Sequence, residues 1–336
     1  MTNDLIGNVR RSGVLSMSVF LIYLIGIATT AHADDRSPPA GSVEVTLGLY
    51  LLDVVAIDDS QQTVTIDLGV SVRWVDPRLA DKAGQVVLLK DTWAPNLQLM
   101  SIKDVKETRP EVLHISQGGQ VEYLQRFVGE IWHSSDLSGF PLDQQVYKLQ
   151  LFTPGYTPAQ IRLVEDPERT GQADHWSLVG WERLPGRWID DPFFFQPAEK
   201  EFAGAAFEFT VHRRRGFYFW KVVFPLSLVV LMAGSVFWID ASNSSSQISV
   251  AYYSCLSLVA YRFVIGAMVP EVSYMTRLDR FILGVSILVF FVLVAAIWTG
   301  RLHASDKVAA AKRVNFWCGW MFFAALLLIS LLSFIF

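Results

Sequence analysis

The sequence predicts an exported β-sandwich domain followed by a bundle of four membrane-spanning helices. Three observations predict this: a short apolar run ending in an A-x-A site, a long series of short alternating runs, and four long apolar segments near the C-terminus. The 336 residues are 52% hydrophobic and only 18% charged. Because most of the apolar excess lies in the last third, the composition indicates a soluble domain joined to a membrane domain.

The N-terminal segment is typical of a secretory signal. Arg10 and Arg11 precede an apolar run from Val14 to Ala28, and Ala31-His32-Ala33 follows. We therefore expect residues 1–33 to be a signal peptide, with a retained span as the alternative. The sequence favours a bacterial envelope protein, with residues 34–212 in the periplasm and the remainder in the inner membrane.

Residues 34–212 are expected to form a single antiparallel β-sandwich of the immunoglobulin type. Six runs alternate between apolar and polar residues and are broken by turns such as Asp58-Asp59 and Pro154-Gly155. These runs cover residues 43–57, 63–75, 121–132, 145–152, 160–164 and 205–212. Both cysteines, Cys255 and Cys318, fall in predicted spans, so the exported domain has no disulfide framework.

The membrane domain, residues 213–336, contains four predicted spans at 217–238, 245–269, 281–298 and 314–336. Four spans after an exported domain place both termini outside. Arg301, Lys307, Lys312 and Arg313 then lie in a cytoplasmic loop, as the positive-inside rule requires. Arg213-Arg214-Arg215 must lie at the outer membrane surface, where we expect carboxylate partners for them.

The second span carries a polar stripe. Its members recur at steps of three and four residues, which places them on one helix face. They are Ser245, Ser249, Tyr253, Leu256, Ala260, Phe263 and Ala267. A face that is serine-rich at one end and bulky and apolar further on is typical of a gated pore, where a hydrophobic ring closes by dewetting. The alternative is a partly polar span buried inside its own bundle.

Motifs around the spans resemble those of pentameric ligand-gated ion channels, the Cys-loop receptor superfamily. Phe140-Pro141-Leu142-Asp143 resembles the F-P-x-D turn of that family, without its flanking cysteines, as is usual in the prokaryotic branch. Arg213 lies twelve residues before Pro225, like the arginine that precedes the family's first span. Val236-Phe237-Trp238 and the segment from Pro270 to Thr276 bracket the second span as in bacterial members.

The resemblance implies a homopentamer in which five copies of the second span line a central pore. Leu256 and Phe263 would form the gate, and Ser249 an inner polar ring. Asp58, Asp59, Pro141, Asp143, Arg213, Pro270 and Arg277 would couple the sandwich to the pore at the junction of the two domains. Lipid-headgroup binding by Arg213, Arg214 and Arg215 is the alternative for the arginines.

The same resemblance implies an aromatic agonist site between neighbouring sandwiches, of a kind that favours cationic amines. The candidate residues are Phe202, Phe193, Phe194, Phe195, Trp93, Gln98, Phe152 and Arg73. Gln98 and Phe152 stand where a bacterial amine-gated relative has carboxylates, which weakens the preference for primary amines. Packing in the sandwich core is the alternative for each aromatic residue.

We expect a cation-conducting channel opened by a small ligand. Asp240 and Glu271 near the two mouths favour cations, whereas anion selectivity stays an alternative. Protons are a rival agonist, since the exported domain carries His114, His133, His175 and His212 and an unperturbed histidine changes charge near neutral pH. A membrane-anchored ligand-binding protein is the non-channel alternative. The formal charge of -4 gives no reason to expect nucleic-acid binding, and the motifs indicate no enzyme, cofactor or metal site; membrane lipid and inorganic ions are the other expected partners.

Overall fold

The computed structural model describes residues 37–39, 41–266 and 272–334. A β-sandwich occupies the first part of the chain, and four long helices follow it. The predicted signal peptide at 1–33, together with Ala267, Pro270 and Glu271, lies outside the described residues.

Fifteen strands are present among the described residues. Each of the six runs predicted from the sequence forms a strand, and nine further strands of two to seven residues lie between them. The bounds are β1 Val43–Asp58, β2 Thr63–Val75, β3 Val86–Leu88, β4 Gln98–Leu99, β5 Ile102–Thr108, β6 Val112–Ile115, β7 Gln120–Trp132, β8 Gln144–Phe152, β9 Ile161–Glu165, β10 Gly171–Gln172, β11 Trp181–Arg183, β12 Arg187–Asp190, β13 Phe193–Phe195, β14 Lys200–Phe202 and β15 Gly204–Arg213.

The strands form two stacked sheets and a separate hairpin. The larger sheet has the order β10-β1-β2-β7-β6-β3, with β5 on β7 and β9 on β1. The smaller sheet has the order β11-β15-β8-β4, with β12 on β15, and β13 pairs with β14. The sandwich is not wholly antiparallel as predicted, because β9 and β10 run parallel to β1 along its free edge.

Alternation of buried side chains explains why the long strands stack. Along β1, Val45, Leu47 and Leu49 are fully buried, and along β8 Tyr147, Leu149 and Leu151 are also fully buried. Successive strand residues point to opposite faces, so each strand presents one apolar face to the partner sheet.

Four helices are long and apolar enough to cross a membrane: α1 Arg215–Trp238, α2 Ser244–Gly266, α3 Arg277–Ala304 and α4 Val308–Phe334. They extend beyond the apolar runs of the sequence. Helix α3 begins at Arg277, because Thr276 and Asp279 form a reciprocal capping box at its N-terminus. Helix α1 is interrupted by a π-helical turn at Phe219–Val223, just before Pro225.

The loop between β7 and β8 rests on the start of α3. The amides of Arg277 and Leu278 donate to the carbonyls of Ser138 (3.2 Å) and Phe140 (3.2 Å). The Tyr274 hydroxyl accepts from the Leu137 amide at 2.8 Å. Phe140 is fully buried and packs with side chains of the helical bundle. The F-P-x-D segment is therefore the contact through which the sandwich meets the helices.

Candidate functional site

Helix α2 has one packed face and one unpacked face. Gln247, Ala251, Ser254, Leu258 and Ile265 are buried within the bundle, where α2 packs mainly against α1 and α3. At 100° per residue, the predicted stripe lies on the opposite side of the helix. Its described members, from Ser245 to Phe263, are all exposed within the subunit, Leu256 at 54% and Phe263 at 78%. The bundle leaves this face free.

Hydrogen bonds fix the N-terminal end of α2 to the other helices. The buried Gln247 amide donates to the Ile239 carbonyl at 2.9 Å and to Asn315 Oδ1 at 3.2 Å. Its carbonyl oxygen accepts from the Thr299 hydroxyl at 3.2 Å. Since these partners lie after α1, on α4 and on α3, a single side chain joins all four helices. Sequence reasoning missed this residue, although a glutamine in a membrane span is itself a signal.

A buried arginine lies where the sandwich meets the membrane domain. Arg213 Nε donates to Asp143 Oδ1 at 2.8 Å, and Nη2 donates to Asp59 Oδ2 at 2.8 Å and Asp143 Oδ2 at 3.1 Å. The guanidinium carbon lies 4.0 Å from the Trp181 ring centre and 4.9 Å from that of Phe140. We call Arg213, Asp59 and Asp143 the arginine cluster.

The electrostatics of the arginine cluster follow from its burial. Burial tends to lower the pKa of Arg213, but its hydrogen bond with Asp143 and the charges of Asp59 and Asp143 raise that pKa overall. Burial also raises the pKa of Asp59 above its ordinary value, although the charge of Arg213 acts in the opposite direction. Asp59 therefore accepts a proton more readily than an exposed aspartate, while Arg213 keeps its charge.

Not every residue predicted for coupling joins the arginine cluster. Asp58 instead closes its own turn, accepting from Ser60 and Gln61, and these hydrogen bonds lower its pKa. Arg277 contacts the F-P-x-D loop through its amide, whereas its side chain reaches the Phe334 carbonyl at 3.4 Å. Adjacent Asp58 and Asp59 therefore have different partners: Asp58 bonds its own turn, and Asp59 bonds Arg213. Successive residues of the turn point in different directions.

Pro141 and the remaining two arginines lie beside the arginine cluster. Pro141 is buried between Phe140 and Asp143 in the loop that contacts α3. Arg214 and Arg215 are exposed, and no carboxylate pairs with them among the residues that the structure describes. The expectation of carboxylate partners thus holds for Arg213 alone.

An aromatic group forms where the β13–β14 hairpin covers the end of β8. Phe193 and Phe202 are register partners with ring centres 6.5 Å apart, and Phe152 lies 4.7 Å from Phe193. Gln98 pairs with Phe152 across β4 and β8. Beside the hairpin is an open cavity of about 1000 Å³ lined by Phe195, Phe202, the acidic Glu199 and Glu201, and the loop from Pro154 to Gln160.

Comparison with known proteins decides the family. Residues 29–214, more than half of the 336-residue chain, match the family described as the neurotransmitter-gated ion-channel ligand binding domain. The chain belongs to this family. The resemblance to pentameric ligand-gated channels is confirmed, as is the order of a β-sandwich followed by four spanning helices.

Several members of the neurotransmitter-gated family are similar over most of this chain. The proton-gated ion channel of Gloeobacter violaceus is 21% identical over 286 residues, covering 83% of this chain and 79% of that protein. The glycine receptor beta subunit of Rattus norvegicus is 25% identical over 290 residues, covering 80% of this chain but 58% of the receptor subunit. The theta subunit of the Mus musculus gamma-aminobutyric acid receptor is 25% identical over 277 residues, covering 79% of this chain and 43% of that subunit.

Two of the residues predicted to bind ligand in this family member lie away from the aromatic group. Trp93 is 3% exposed and packs edge-on against Trp74 in the sandwich core, with its Nε1 donating to the Tyr156 hydroxyl at 3.2 Å. Its core role removes it from the candidate site. Arg73 lies on β2 of the larger sheet and forms an ion pair with Asp166. Phe194 points away from the group and is 57% exposed.

Other residues of the site were not among those predicted from the sequence. Trp181 covers Arg213 because β11 pairs with β15 and places the two residues opposite each other. This contact depends on long-range pairing, which short motifs do not report. By contrast, Gln145 supports Asp143 from two residues away through a 2.7 Å hydrogen bond, and Glu199 and Glu201 lie in the same hairpin as the predicted aromatic residues.

Proposed function

We propose that this protein is a homopentameric ligand-gated ion channel of a bacterial inner membrane, with its sandwich in the periplasm and five copies of α2 around one pore. The agonist binds between neighbouring sandwiches, and Leu256 and Phe263 form the gate. The arginine cluster couples the sandwich to the helices.

The observation that carries this proposal is the division of α2 into two faces. One face is packed, and its polar groups are bonded within the subunit. The other presents serines toward one end and Leu256 and Phe263 further along, with no covering side chain from the described bundle. A membrane-anchored ligand-binding protein does not require such an exposed helix face. In a pentamer, by contrast, the exposed faces of five α2 helices enclose a pore that serines line and apolar rings close.

The direct test has two parts: the mass of the purified assembly and its conductance in a planar bilayer. Light scattering with correction for detergent should give five subunits, and reconstituted protein should carry discrete currents. A monomeric mass, or an electrically silent bilayer under every stimulus below, contradicts the proposal.

A small cationic amine is the agonist that the aromatic group favours. Phe195 and Phe202 line the open cavity beside the hairpin, and Glu199 and Glu201 add negative charge there. Cation–π attraction contributes about 0.5–2 kcal/mol per contact. A panel of primary and quaternary amines at constant pH tests this class of ligand.

Protons are a second candidate agonist, and two observations favour them. The Gloeobacter relative is a proton-gated channel. In this chain, burial raises the pKa of Asp59, so acid neutralises one carboxylate of the arginine cluster before it affects exposed aspartates. A rapid pH step without organic ligand separates protons from amines: current after the step alone supports protons.

The residues at the inner mouth of the proposed pore favour cation selectivity. Ser245 begins the exposed stripe there, and the exposed Asp240 precedes α2 in the same region. Negative charge near a mouth concentrates cations. The reversal potential in a tenfold salt gradient should approach the cation equilibrium potential; the opposite sign would assign the channel to anions.

A further inference from the structure

A hydrogen bond connects the outer half of α2 to the π-helical turn of α1. The Tyr261 hydroxyl lies 2.8 Å from the Val222 carbonyl oxygen and 3.1 Å from that of Lys221. Tyr261 is five residues beyond Leu256 and two before Phe263 in the sequence. The bond therefore attaches the segment between the two proposed constrictions to the neighbouring helix.

Pro225 leaves one of these two carbonyls, that of Lys221, without its donor in the helix. In an α-helix the Lys221 carbonyl accepts from the amide of residue 225, and proline has no amide hydrogen. Over Phe219–Val223 the helix widens into a π-helical turn, in which the Phe224 amide donates to the Phe219 carbonyl. In a membrane, an unpaired carbonyl must find a donor from a neighbouring helix, and the Tyr261 hydroxyl is that donor.

We propose that Tyr261 is a positioning residue for the gate, because its hydroxyl bonds α1 at the π-helical turn, where Pro225 leaves the Lys221 carbonyl without its helical donor. Helix α1 follows directly after Arg213 and is thus the first helix to respond to the arginine cluster. A bond from its irregular turn to α2 transmits that response to the level of Leu256 and Phe263. This inference rests on the channel function proposed above.

The bond also differs from those at the other end of α2. At the inner end Gln247 is held by three helices through several hydrogen bonds. C-terminal to Cys255, whose thiol lies 3.9 Å from the Val289 carbonyl oxygen on α3, Tyr261 alone among the described residues of α2 donates a side-chain hydrogen bond to another helix. A single bond to a hydroxyl can be exchanged during a conformational change without disturbing the rest of the bundle.

A double-mutant cycle tests the proposal. Tyr261→Phe removes the donor and keeps the ring, whereas Pro225→Ala returns an amide to α1 and so competes for the same carbonyl. In the otherwise native channel, Tyr261→Phe should change the stimulus needed for half-maximal current by at least about threefold, because a hydrogen bond is lost in every subunit. In the Pro225→Ala background the change should be clearly smaller, because the restored amide satisfies the Lys221 carbonyl and only the Val222 contact is left to lose. Single-channel conductance and ion selectivity should stay unchanged, which a damaged pore would not allow.

Two further variants keep the test informative. Tyr252→Phe makes the same chemical change on an exposed side chain of α2 and should leave gating unaltered. Replacing Tyr261 by 4-aminophenylalanine restores a donor on the same ring and should restore native gating. If Tyr261→Phe shifts gating equally with and without Pro225, or not at all in a conducting channel, the proposal is overturned.

Hydrogen exchange separates this proposal from the channel function itself. Tyr261→Phe should speed exchange at the amides of the outer half of α2 and of the π-helical turn, but not near Gln247. This readout needs no current and uses the native assembly, so it also serves if Pro225→Ala does not assemble. If wild-type protein carries no current in a bilayer, only the proposed channel function is contradicted. If hydrogen exchange is unchanged in Tyr261→Phe, the positioning role of the Tyr261 bond is contradicted.

Discussion

The arginine cluster and the exposed face of α2 are built in opposite ways. Arg213, Asp59 and Asp143 pair with one another inside a single subunit, and their side chains are at most 10% exposed. The described residues of the α2 stripe are instead exposed within the subunit, and they line a pore only in the proposed assembly of several copies. We therefore expect substitutions in the cluster to act on the subunit itself, and substitutions in the stripe to act on the proposed assembly.

The largest effect is expected in the arginine cluster. Arg213→Gln leaves two buried carboxylates without their cation, which destabilises a protein by about 3–5 kcal/mol. We expect loss of assembled protein, measured by fluorescence-detected size exclusion and thermal unfolding. Arg214→Gln, at an exposed neighbouring position, should behave like the wild type, and comparable loss in both variants would show that the cluster has no special role.

The second effect should leave the fold intact. Leu256→Ser lies on the exposed face, so the unfolding temperature should hardly change. Yet about 0.3 kcal/mol from each of five copies already shifts the gating equilibrium about tenfold. Currents should therefore appear at weaker stimulus, or without any. Val259→Ser is the matched control, since Val259 is also 54% exposed but lies off the stripe; equal effects in both variants would break the comparison.

An intermediate effect is expected at the aromatic hairpin, because one subunit supplies only part of the proposed ligand site. Phe202→Ala removes a ring face and should weaken the apparent affinity for an amine by about two- to thirtyfold, equivalent to about 0.5–2 kcal/mol. The maximal current should change little. Dose–response curves provide the measurement, with the outward-pointing Phe194→Ala as control. Unaltered affinity in Phe202→Ala would move the ligand site elsewhere.

The smallest effect concerns pH and again lies within one subunit. Burial lowers the pKa of His133, whose ring lies 4.2 Å from that of Tyr147. Because the unfolded chain then binds more protons than the folded one, stability should fall as the pH drops below about 6.5 toward the lower folded pKa. Thermal unfolding at about pH 7.5 and about pH 5 should show a smaller difference for His133→Gln than for the wild type. The exposed His114→Gln should keep the wild-type difference.

Much of the fold and part of the site could be predicted from the sequence. The alternation of apolar and polar residues predicted six of the strands, and hydropathy predicted the four spans, because both depend on local patterns. The pairing of Arg213 with Asp143 was expected because two motifs lie at fixed positions in the family. The role of Trp93 and the cover that Trp181 gives Arg213 depend on contacts between distant strands. Pro225 predicts an open carbonyl in α1, but no sequence pattern shows that Tyr261 would reach it.

The bonds of Gln247 have a mechanical consequence for the pore. A rod fastened firmly at one end tilts about that end, so displacement grows with distance from the fastening. Leu256 lies about 13 Å and Phe263 about 24 Å along the axis from Gln247, at about 1.5 Å per residue. A tilt of about 5° therefore moves the phenylalanine ring about 2 Å, almost twice as far as the leucine ring. In the proposed pore, opening should widen the constriction at Phe263 first and most, with the serines near Gln247 almost stationary.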